Sequence, residues 1–580
     1  MVKSFTTSEK EIYSNSNYNL LVFVNLFKGT SMKSMSTFLA VLVFLLVSTT
    51  AAWSATLTVG PGETYTTIQS AVTAASGGDI ILVKEKLGNA PYEENVNIPG
   101  GKNGLTIKAY TGNSPILDGT NLVSTKVAFR VNSDNVTIEG FTIQNYYWGS
   151  STNVAYGQAT RGVGIESLIA SSQHTFTNNT FDNCNWGIYV REGNNITVSN
   201  NTFTDILNSG AATWPQMGGS AIVFESAGVA MDDNIIEDNT ITDADYHGIF
   251  YGRVGGSVGA DFTRITGNSV NSVNSIANES MAYAIFNIKQ NDAFLFEDNT
   301  SDICIIALRI NSSSVTDNSD LTVQNNFFKN TTSSIEVVSN DLFPGDKLYS
   351  IMAELGNEFD EGTPATTAGA MASLEWATDA VTADGGFRYI RNQFQPTVDD
   401  AENYVNTNSP ENARVYILDG YFATNTPAIV NFTSALDELL IFGQSINVKL
   451  VSPAAISIIL DIQSGTVEVD PITFILDVTN AAAFNYPIGI QTNSANTNVH
   501  DCRFESINYS ATDDFYSGVK ILDGGLSAIV KDNYFTGAVG YGVQIETSNP
   551  MLTPALIECN TFDCTNDILK IGRASCRERV

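Results

Sequence analysis

Internal repetition limits this chain more than any other feature. A short Asn-centred motif returns as Asn178-Asn179-Thr180-Phe181, Asn200-Asn201-Thr202-Phe203, Asp238-Asn239-Thr240-Ile241, Gly267-Asn268-Ser269-Val270, Asp298-Asn299-Thr300 and Asn325-Asn326-Phe327-Phe328, at intervals of 22, 38, 29, 31 and 27 residues. It reappears as Asp532-Asn533-Tyr534-Phe535 and Cys559-Asn560-Thr561-Phe562. A second motif, a small residue followed by Ile, Leu or Val and then x-apolar, interleaves with it at Gly187-Ile188-Tyr189-Val190, Ala221-Ile222-Val223-Phe224, Gly248-Ile249-Phe250-Tyr251, Ala284-Ile285-Phe286, Ala307-Leu308-Arg309-Ile310, Gly518-Val519-Lys520-Ile521 and Gly542-Val543-Gln544-Ile545. Each repeat thus carries short alternating strands punctuated by Asn, Asp and Gly, with no helical 3.6 period and too little length for a four-stranded propeller blade. A coil of two or three strands per turn fits, with its turns stacked in parallel. One rung cannot bury its apolar face alone, so the stack supplies the core. The expected fold class is all-β, a parallel β-helix.

Asn at a fixed place in each rung needs no ligand to explain it. Asn tolerates left-handed turns, and stacked amides can form hydrogen-bond ladders along a coil. The Asn-x-Thr/Ser sequons, such as Asn135-Val136-Thr137 and Asn330-Thr331-Thr332, follow from the same turn vocabulary. Cys184 and Cys304 each fall five residues after a motif Asn, which suggests inward, small apolar positions. Cys559 and Cys564 are close enough in sequence for a disulfide.

Composition narrows the partners. The 580 residues hold 61 acidic and 29 basic side chains, a net charge of −32. A nucleic-acid backbone or an anionic membrane surface is therefore excluded as the main partner. Only 16% of residues are charged and 43% are apolar, so the chain is not a disordered acidic one. Six Cys and three His leave no room for a dense disulfide scaffold or a Cys/His zinc framework. The ends differ from the body. Residues 38–47 (FLAVLVFLLV) follow Lys33 and precede the small residues at 51–54, the pattern of a secretory signal peptide, so residues 1–54 read as an upstream extension plus signal. After its removal no membrane span is expected. The stretch 571–580 (IGRASCRERV) is anomalously Arg-rich and reads as foreign to the fold. Taking off the +2 carried by each end leaves a body near −36.

Residues 65–72 (YTTIQSAV), 77–83 (GGDIILV), 92–96 (YEENV), 105–107 (LTI) and 116–119 (ILDG) together resemble the opening of the pectin-lyase-like right-handed parallel β-helix proteins, and the rungs after Asn135 resemble their repeat. The resemblance spans most of residues 56–350. It implies a right-handed coil closed by a short amphipathic helix, for which Ile68, Ala71, Val72 and Ala75 provide an apolar face. The opening occurs twice. Residues 398–405 can form a second cap helix, and the strands at Ile80 and Leu105 recur at Val415 and Leu439, offsets of 335 and 334. Two tandem coils are expected, at 55–350 and 391–570, with an Ala/Thr/Gly-rich connector at 351–390.

The resemblance is specific for fold and unspecific for activity. The Trp-Ile-Asp-His run of pectate lyases, the Asn-Thr-Asp and Gly-His-Gly elements of polygalacturonases and the Gln-Asp-Thr-Leu element of pectin methylesterases are all missing. Only Tyr246-His247-Gly248 comes near. Alternation in the second motif places Ile inward and its successor outward. The outward column is expected to read Glu166, Tyr189, Val223, Phe250, Phe286, Arg309, Glu336. The next holds Arg191, Glu225 and Asn311, with Arg253 and Lys289 displaced by one and Trp186, Tyr246, His247 and Tyr283 just before the strands. The carbohydrate-binding candidates are therefore Trp186, Tyr189, Arg191, Glu225, Phe250 and Phe286, since sugar rings stack on aromatic faces and polar groups bind hydroxyls or carboxylates. His247, Arg253, Lys289 and Arg309 could supply the base and carboxylate-neutralising groups that β-elimination of a uronate needs. Oxygen-rich turns at Asp232-Asp233, Glu237-Asp238, Asp243-Asp245, Asp399-Asp400 and Asp513-Asp514 could take Ca²⁺, which would also bridge so acidic a protein to an acidic polysaccharide. Two functions remain open. One is a secreted or cell-surface protein that binds, and as a lyase or hydrolase cleaves, an extracellular polysaccharide or cell-surface glycan. The other is a non-catalytic adhesin or structural rod. A groove enzyme should gather Arg, Lys, Glu and His within hydrogen-bond reach on one face, whereas a rod should scatter them.

Overall fold

The computed structural model describes residues 54–577 apart from interruptions, the longer ones at 150–161, 209–217, 340–354, 361–373, 478–486 and 508–516. The expected signal peptide lies outside the described residues. Thr56–Val580 forms one compact unit. Among the described residues, strand pairings are parallel except for three, as a coil of stacked rungs requires. Parallel crossovers take a right-handed path, and the architecture is a right-handed parallel β-helix.

Three sheets wrap the first core. One has ten strands, from Thr56–Val59 to Leu321–Gln324, and a second has nine, from Ile116–Asp118 to Glu358–Asp360. The third runs from Val96–Ile98 to Ser333–Ser339. Register keeps like positions in columns. In the first sheet Ile81, Ile107, Ile138, Phe176, Val198, Ile236, Ile265, Phe296 and Val323 stand opposite one another and are all buried. The interior is thus a set of apolar columns, each member covered by the rungs on either side.

The corners divide the work of the Asn motif between two adjacent positions. The first residue adopts a left-handed backbone: Asn178 (φ 56°), Asn200 (54°), Asp238 (53°), Gly267 (66°), Asp298 (54°) and Asn325 (54°). These are the residue types that bear αL at least cost. The second residue is the ladder. Asn179, Asn201, Asn239, Asn268, Asn299, Asn326 and Asn357 pass a hydrogen bond from Nδ2 to the next Oδ1 at 2.9–3.2 Å, rung after rung. Each Oδ1 also accepts the preceding Asn's backbone N–H, for example Asn239 N to Asn268 Oδ1 at 3.1 Å. Asn533 and Asn560 repeat the arrangement at 3.1 Å. Buried amides with every polar atom paired stabilise the coil, whereas a gap would leave orphaned donors in the core. The sequon residues Asn135 (55°) and Asn330 (50°) are further left-handed corners. Cys184 and Cys304 are buried as expected, and Cys559 is an exposed free thiol at φ 56°. Cys564 lies outside the described residues.

The small residue of the second motif has a steric cause. A Cβ at Gly164 would lie 2.5 Å from the ring of Phe181, and one at Gly518 2.5 Å from Phe535. Those rings are themselves stacked: Phe181 on Phe203 at 4.7 Å, and Phe504 on Phe535 at 4.9 Å. Small residues make room for the stack.

Helix α1 (Ile68–Ala74) covers the start of the coil with Ile68, Ala71 and Val72 buried. Its first N–H groups are taken by Glu94, whose two carboxylate oxygens accept from Ile68 and Gln69 at 2.9 Å each. The Gln69 amide bonds the backbone of Asn97 in both directions, so it blunts the open edge of the strand there. Helix α2 (Phe394–Asn408) makes a comparable contact through another residue. The Asn406 amide donates to Asn431 O and accepts from Thr433 N–H. Beyond α2 a separate apolar cluster runs from Phe394 to Ile557.

Three points correct the sequence reading. The strand matching Val415 begins its column at Ile81, which faces Ile107 as Val415 faces Ile441, so the offset is 334 throughout rather than 335 at Ile80. The 351–390 segment is more than a connector. Glu358–Asp360 continues the second sheet, and Leu374–Thr378 and Gly386–Arg391 join Ser333–Ser339 to Asn412–Ile417 through the three antiparallel pairings. In the terminal stretch, Cys576–Arg577 pairs in parallel with Ile557–Glu558.

Candidate functional site

The outer surface of the third sheet carries most of the expected site residues, in three columns set by register. The first contains Val127, Val163, Trp186, Ser220, His247, Met281 and Ile306. The second contains Arg130, Glu166, Tyr189, Val223, Phe250, Ala284, Arg309 and Glu336. The third contains Arg191, Glu225, Gly252, Phe286 and Asn311.

This differs from expectation in several ways. Ala284, not Phe286, stands opposite Phe250, so Phe286 moves to the third column and Tyr283 turns inward, where it is fully buried. The motif reading had aligned Ile285 with Ile249, but the strand Met281–Phe286 sits two residues along. Trp186 and His247 begin their strands rather than precede them. Lys289 is outside the strands of the third sheet. It belongs to Ile288–Lys289, which pairs with Val258–Gly259 in a separate two-stranded sheet. Arg253 follows the end of its strand, with its backbone carbonyl accepting from Asn287 Nδ2 at 2.8 Å.

The surface is also covered rather than open. Trp186, Tyr189, Val223, Phe250 and Met281 are 0–4% exposed and form an apolar cluster outside the coil. Alternation showed that these residues leave the interior. It could not show that they are buried again outside it.

Charged groups frame the cluster. At one end Arg130 Nε donates to Glu166 at 2.6 Å, and at the other Arg309 donates to Glu336, with Nη2 and Oε2 2.5 Å apart. Between them the Tyr189 hydroxyl donates to Glu225 Oε2 at 2.6 Å, and among the described residues the buried Glu225 Oε1 has no hydrogen-bond partner. Burial pushes the Glu225 carboxyl up to about 9, so it holds its proton at neutral pH. His247 Nδ1 lies 3.1 Å from Ser220 Oγ, with the Tyr246 and Phe250 rings at 4.1 and 5.3 Å. Burial first, and then the Arg309 charge, hold its imidazole well below the usual range, so it is neutral. The surface thus carries a protonated carboxylic acid and a neutral imidazole on the adjacent strands Ser220–Glu225 and His247–Gly252, with an Arg–Glu pair toward each end of the sheet.

The acidic turns proposed for Ca²⁺ have local roles where they are described. Asp233 (57°), Asp238 (53°) and Asp243 (57°) occupy left-handed corners, and Asp232 Oδ1 accepts from Asp261 N–H at 2.9 Å. Asp399 Oδ1 accepts from Ile429 N–H at 3.4 Å, tying α2 to the following strand. Asp513-Asp514 lies outside the described residues.

No family model and no curated protein matches the chain. Among solved structures it is similar to an alginate lyase from Paenibacillus sp. str. FPU-7, with 14% identity, TM-score 0.34, and coverage of 48% of this chain and 87% of that one. It is also similar to a polygalacturonase from Erwinia carotovora ssp. carotovora, with 10% identity, TM-score 0.32, and coverage of 90% and 97%. A hyperthermoactive exopolygalacturonase from Thermotoga maritima shows 9% identity, TM-score 0.30, and coverage of 82% and 88%. The paired sheets define a right-handed parallel β-helix. Similarities this low carry nothing about chemistry at the third sheet.

Proposed function

We propose that this is a secreted or cell-surface β-helix protein that binds an extracellular polysaccharide against the outer surface of the third sheet and cleaves it there, as a lyase or hydrolase. The observation that carries the reading is the buried, protonated Glu225 on an outer face whose other charged groups form the Arg130–Glu166 and Arg309–Glu336 pairs. Protonated Glu225 is the group suited to donate a proton to a glycosidic oxygen. Sugar rungs and coil rungs have similar spacing, about 4.8 Å per strand, which suits a chain polymer lying along the sheet. Secretion rests on the apolar run at 38–47. The two apolar clusters and their two covering helices support a division into tandem coils at 55–350 and 391–570.

The test is incubation of the protein with a panel of acidic and neutral polysaccharides, with and without Ca²⁺, following unsaturated-product absorbance and reducing ends, together with affinity electrophoresis. Turnover that Glu225→Gln abolishes is the expected result. Absence of both turnover and glycan binding across the panel refutes the reading. One observation favours the second reading, a non-catalytic adhesin or structural rod: Tyr189 and Phe250 present no open ring face, being 4% and 0% exposed. Binding without turnover, unchanged in Tyr189→Ala and Phe250→Ala, would select it.

A further inference from the structure

The second half of the chain carries a different constellation, away from the third-sheet surface. Strands Thr466–Asp470 and Asn496–His500 pair in parallel with Val469 opposite Val499. Both valines are buried, so Glu468, Asp470 and His500 share the outward face. Asp501 follows at φ 53°, a left-handed corner. His500 Nδ1 lies 2.9 Å from Asp501 Oδ2 and 3.5 Å from Asp470 Oδ1. Its other ring nitrogen, Nε2, lies 2.8 Å from Glu468 Oε1.

We propose that Asp470, Asp501 and the Nδ1 atom of His500 form a binding site for a divalent transition-metal ion, with Zn²⁺ the best fit. The argument is geometric. Around an ion with ligands at about 2.1 Å, neighbouring ligand atoms stand about 3.0 Å apart in an octahedron and about 3.4 Å apart in a tetrahedron. The two His–Asp separations match those edges, and the ligand atoms of the three residues all lie within 4.8 Å of one another. Glu468 supplies the independent feature. A metal-bound imidazole donates its remaining ring N–H to a carboxylate, which fixes the tautomer and raises the basicity of the ligating nitrogen. Glu468 stands at that nitrogen, so with an ion on Nδ1 the Nε2 proton would be donated to Glu468 Oε1. One imidazole with two carboxylates suits a borderline ion such as Zn²⁺, and three protein ligands leave positions for water. The side chains of His500, Asp470 and Asp501 are 13, 24 and 60% exposed, so the ion can enter from solvent. Lys531 stands opposite His500 on the next strand and offsets part of the carboxylate charge. The competing arrangement is a protonated His500 bonded to the same carboxylates with no ion between them.

The site does not depend on the polysaccharide reading. The chain has three histidines, and the other two, His174 and His247, are buried, so a zinc titration of the whole protein reads this site with little competition. Chelator-stripped protein titrated calorimetrically with ZnCl₂ should show one saturable site. Asp470→Asn and His500→Gln should each weaken it by about 100-fold or more, and Glu468→Gln by about 10- to 100-fold. Co²⁺ in place of Zn²⁺ should give visible d–d bands that His500→Gln removes. Circular dichroism confirms that the variants keep their strands. The proposal is overturned if the stripped protein takes up no Zn²⁺ saturably, or if Asp470→Asn and His500→Gln bind it as tightly as the parent.

Discussion

Replacing Asn268 by Ala tests the physical basis of the fold at its most loaded point. Asn268 lies mid-ladder and is fully buried. Its Nδ2 donates to Ile236 O at 2.9 Å, to Thr266 O at 3.1 Å and to Asn299 Oδ1 at 3.0 Å. Its Oδ1 accepts from Asn239 N at 3.1 Å and Asn239 Nδ2 at 3.0 Å. The substitution deletes these bonds and leaves the Asn239 backbone N–H facing a dry gap, while Asn239 Nδ2 keeps its bonds to Val198 O and Glu237 O. At about 1 kcal/mol net per bond, with a further penalty for each orphaned buried group, the loss should be about 3–5 kcal/mol. Asn560 is the internal comparison. It accepts the matching bonds from Asn533 at 3.0 and 3.1 Å, but it is only half-buried, so water can replace the lost partner and Asn560→Ala should cost about 1–2 kcal/mol. Asn268→Leu separates hydrogen bonding from volume: it fills the space without restoring the bonds, and should cost nearly as much as Ala. The assay is urea unfolding followed by tryptophan fluorescence, comparing midpoints at constant slope. If Asn268→Ala costs less than about 1 kcal/mol, or if Asn268→Leu is neutral, the ladder is incidental and packing alone holds the rungs.

Three further outcomes follow from the same geometry. Between pH 4.5 and about 9 the folded protein keeps the Glu225 proton while the unfolded chain has released it, so this group's contribution to stability is greatest below pH 4.5 and falls as pH rises through that window; Glu225→Gln should flatten the slope and raise the urea midpoint at pH 8. Ile303 is a β-branched residue at φ 56° and 47% exposed, in a corner column otherwise filled by residues such as Asn183, Asp243 and Asn330, so Ile303→Asn should stabilise by about 1 kcal/mol, and a loss of stability would refute the strain argument. Gly164→Ala would place a methyl 2.5 Å from the Phe181 ring and should cost about 1–3 kcal/mol in the same unfolding assay; a neutral result would mean that the stacked rings yield freely.

The rungs, the left-handed Asn corners, the amide ladder and helix α1 were legible in the sequence because each is decided locally. A corner needs a residue that bears positive φ, a ladder needs the same amide once per turn, and an amphipathic helix displays its face in four residues. The outward residues were legible only in part. Alternation placed Tyr189, Phe250, Glu225 and Arg309 on the outer side of their strands, which the register confirms.

The rest depends on contacts between rungs of unequal length. The intervals vary from 22 to 38 residues, so no fixed period says which residue of one rung faces which of the next. A two-residue slip at Met281–Phe286 was enough to exchange Phe286 for Ala284 and to turn Tyr283 inward. Strand periodicity gives two sides and is silent on what covers the outer one, so the burial of Trp186, Tyr189 and Phe250, and with it the raised Glu225 and the neutral His247, lay beyond sequence reasoning. The Asp470, His500 and Asp501 cluster was hidden because its members are about one rung apart, and only stacking sets them side by side. The sequence determined that the chain coils and where each rung turns, since those are properties of single residues. The stacking of one rung on the next decided which side chains meet, because that depends on register summed over every turn before it.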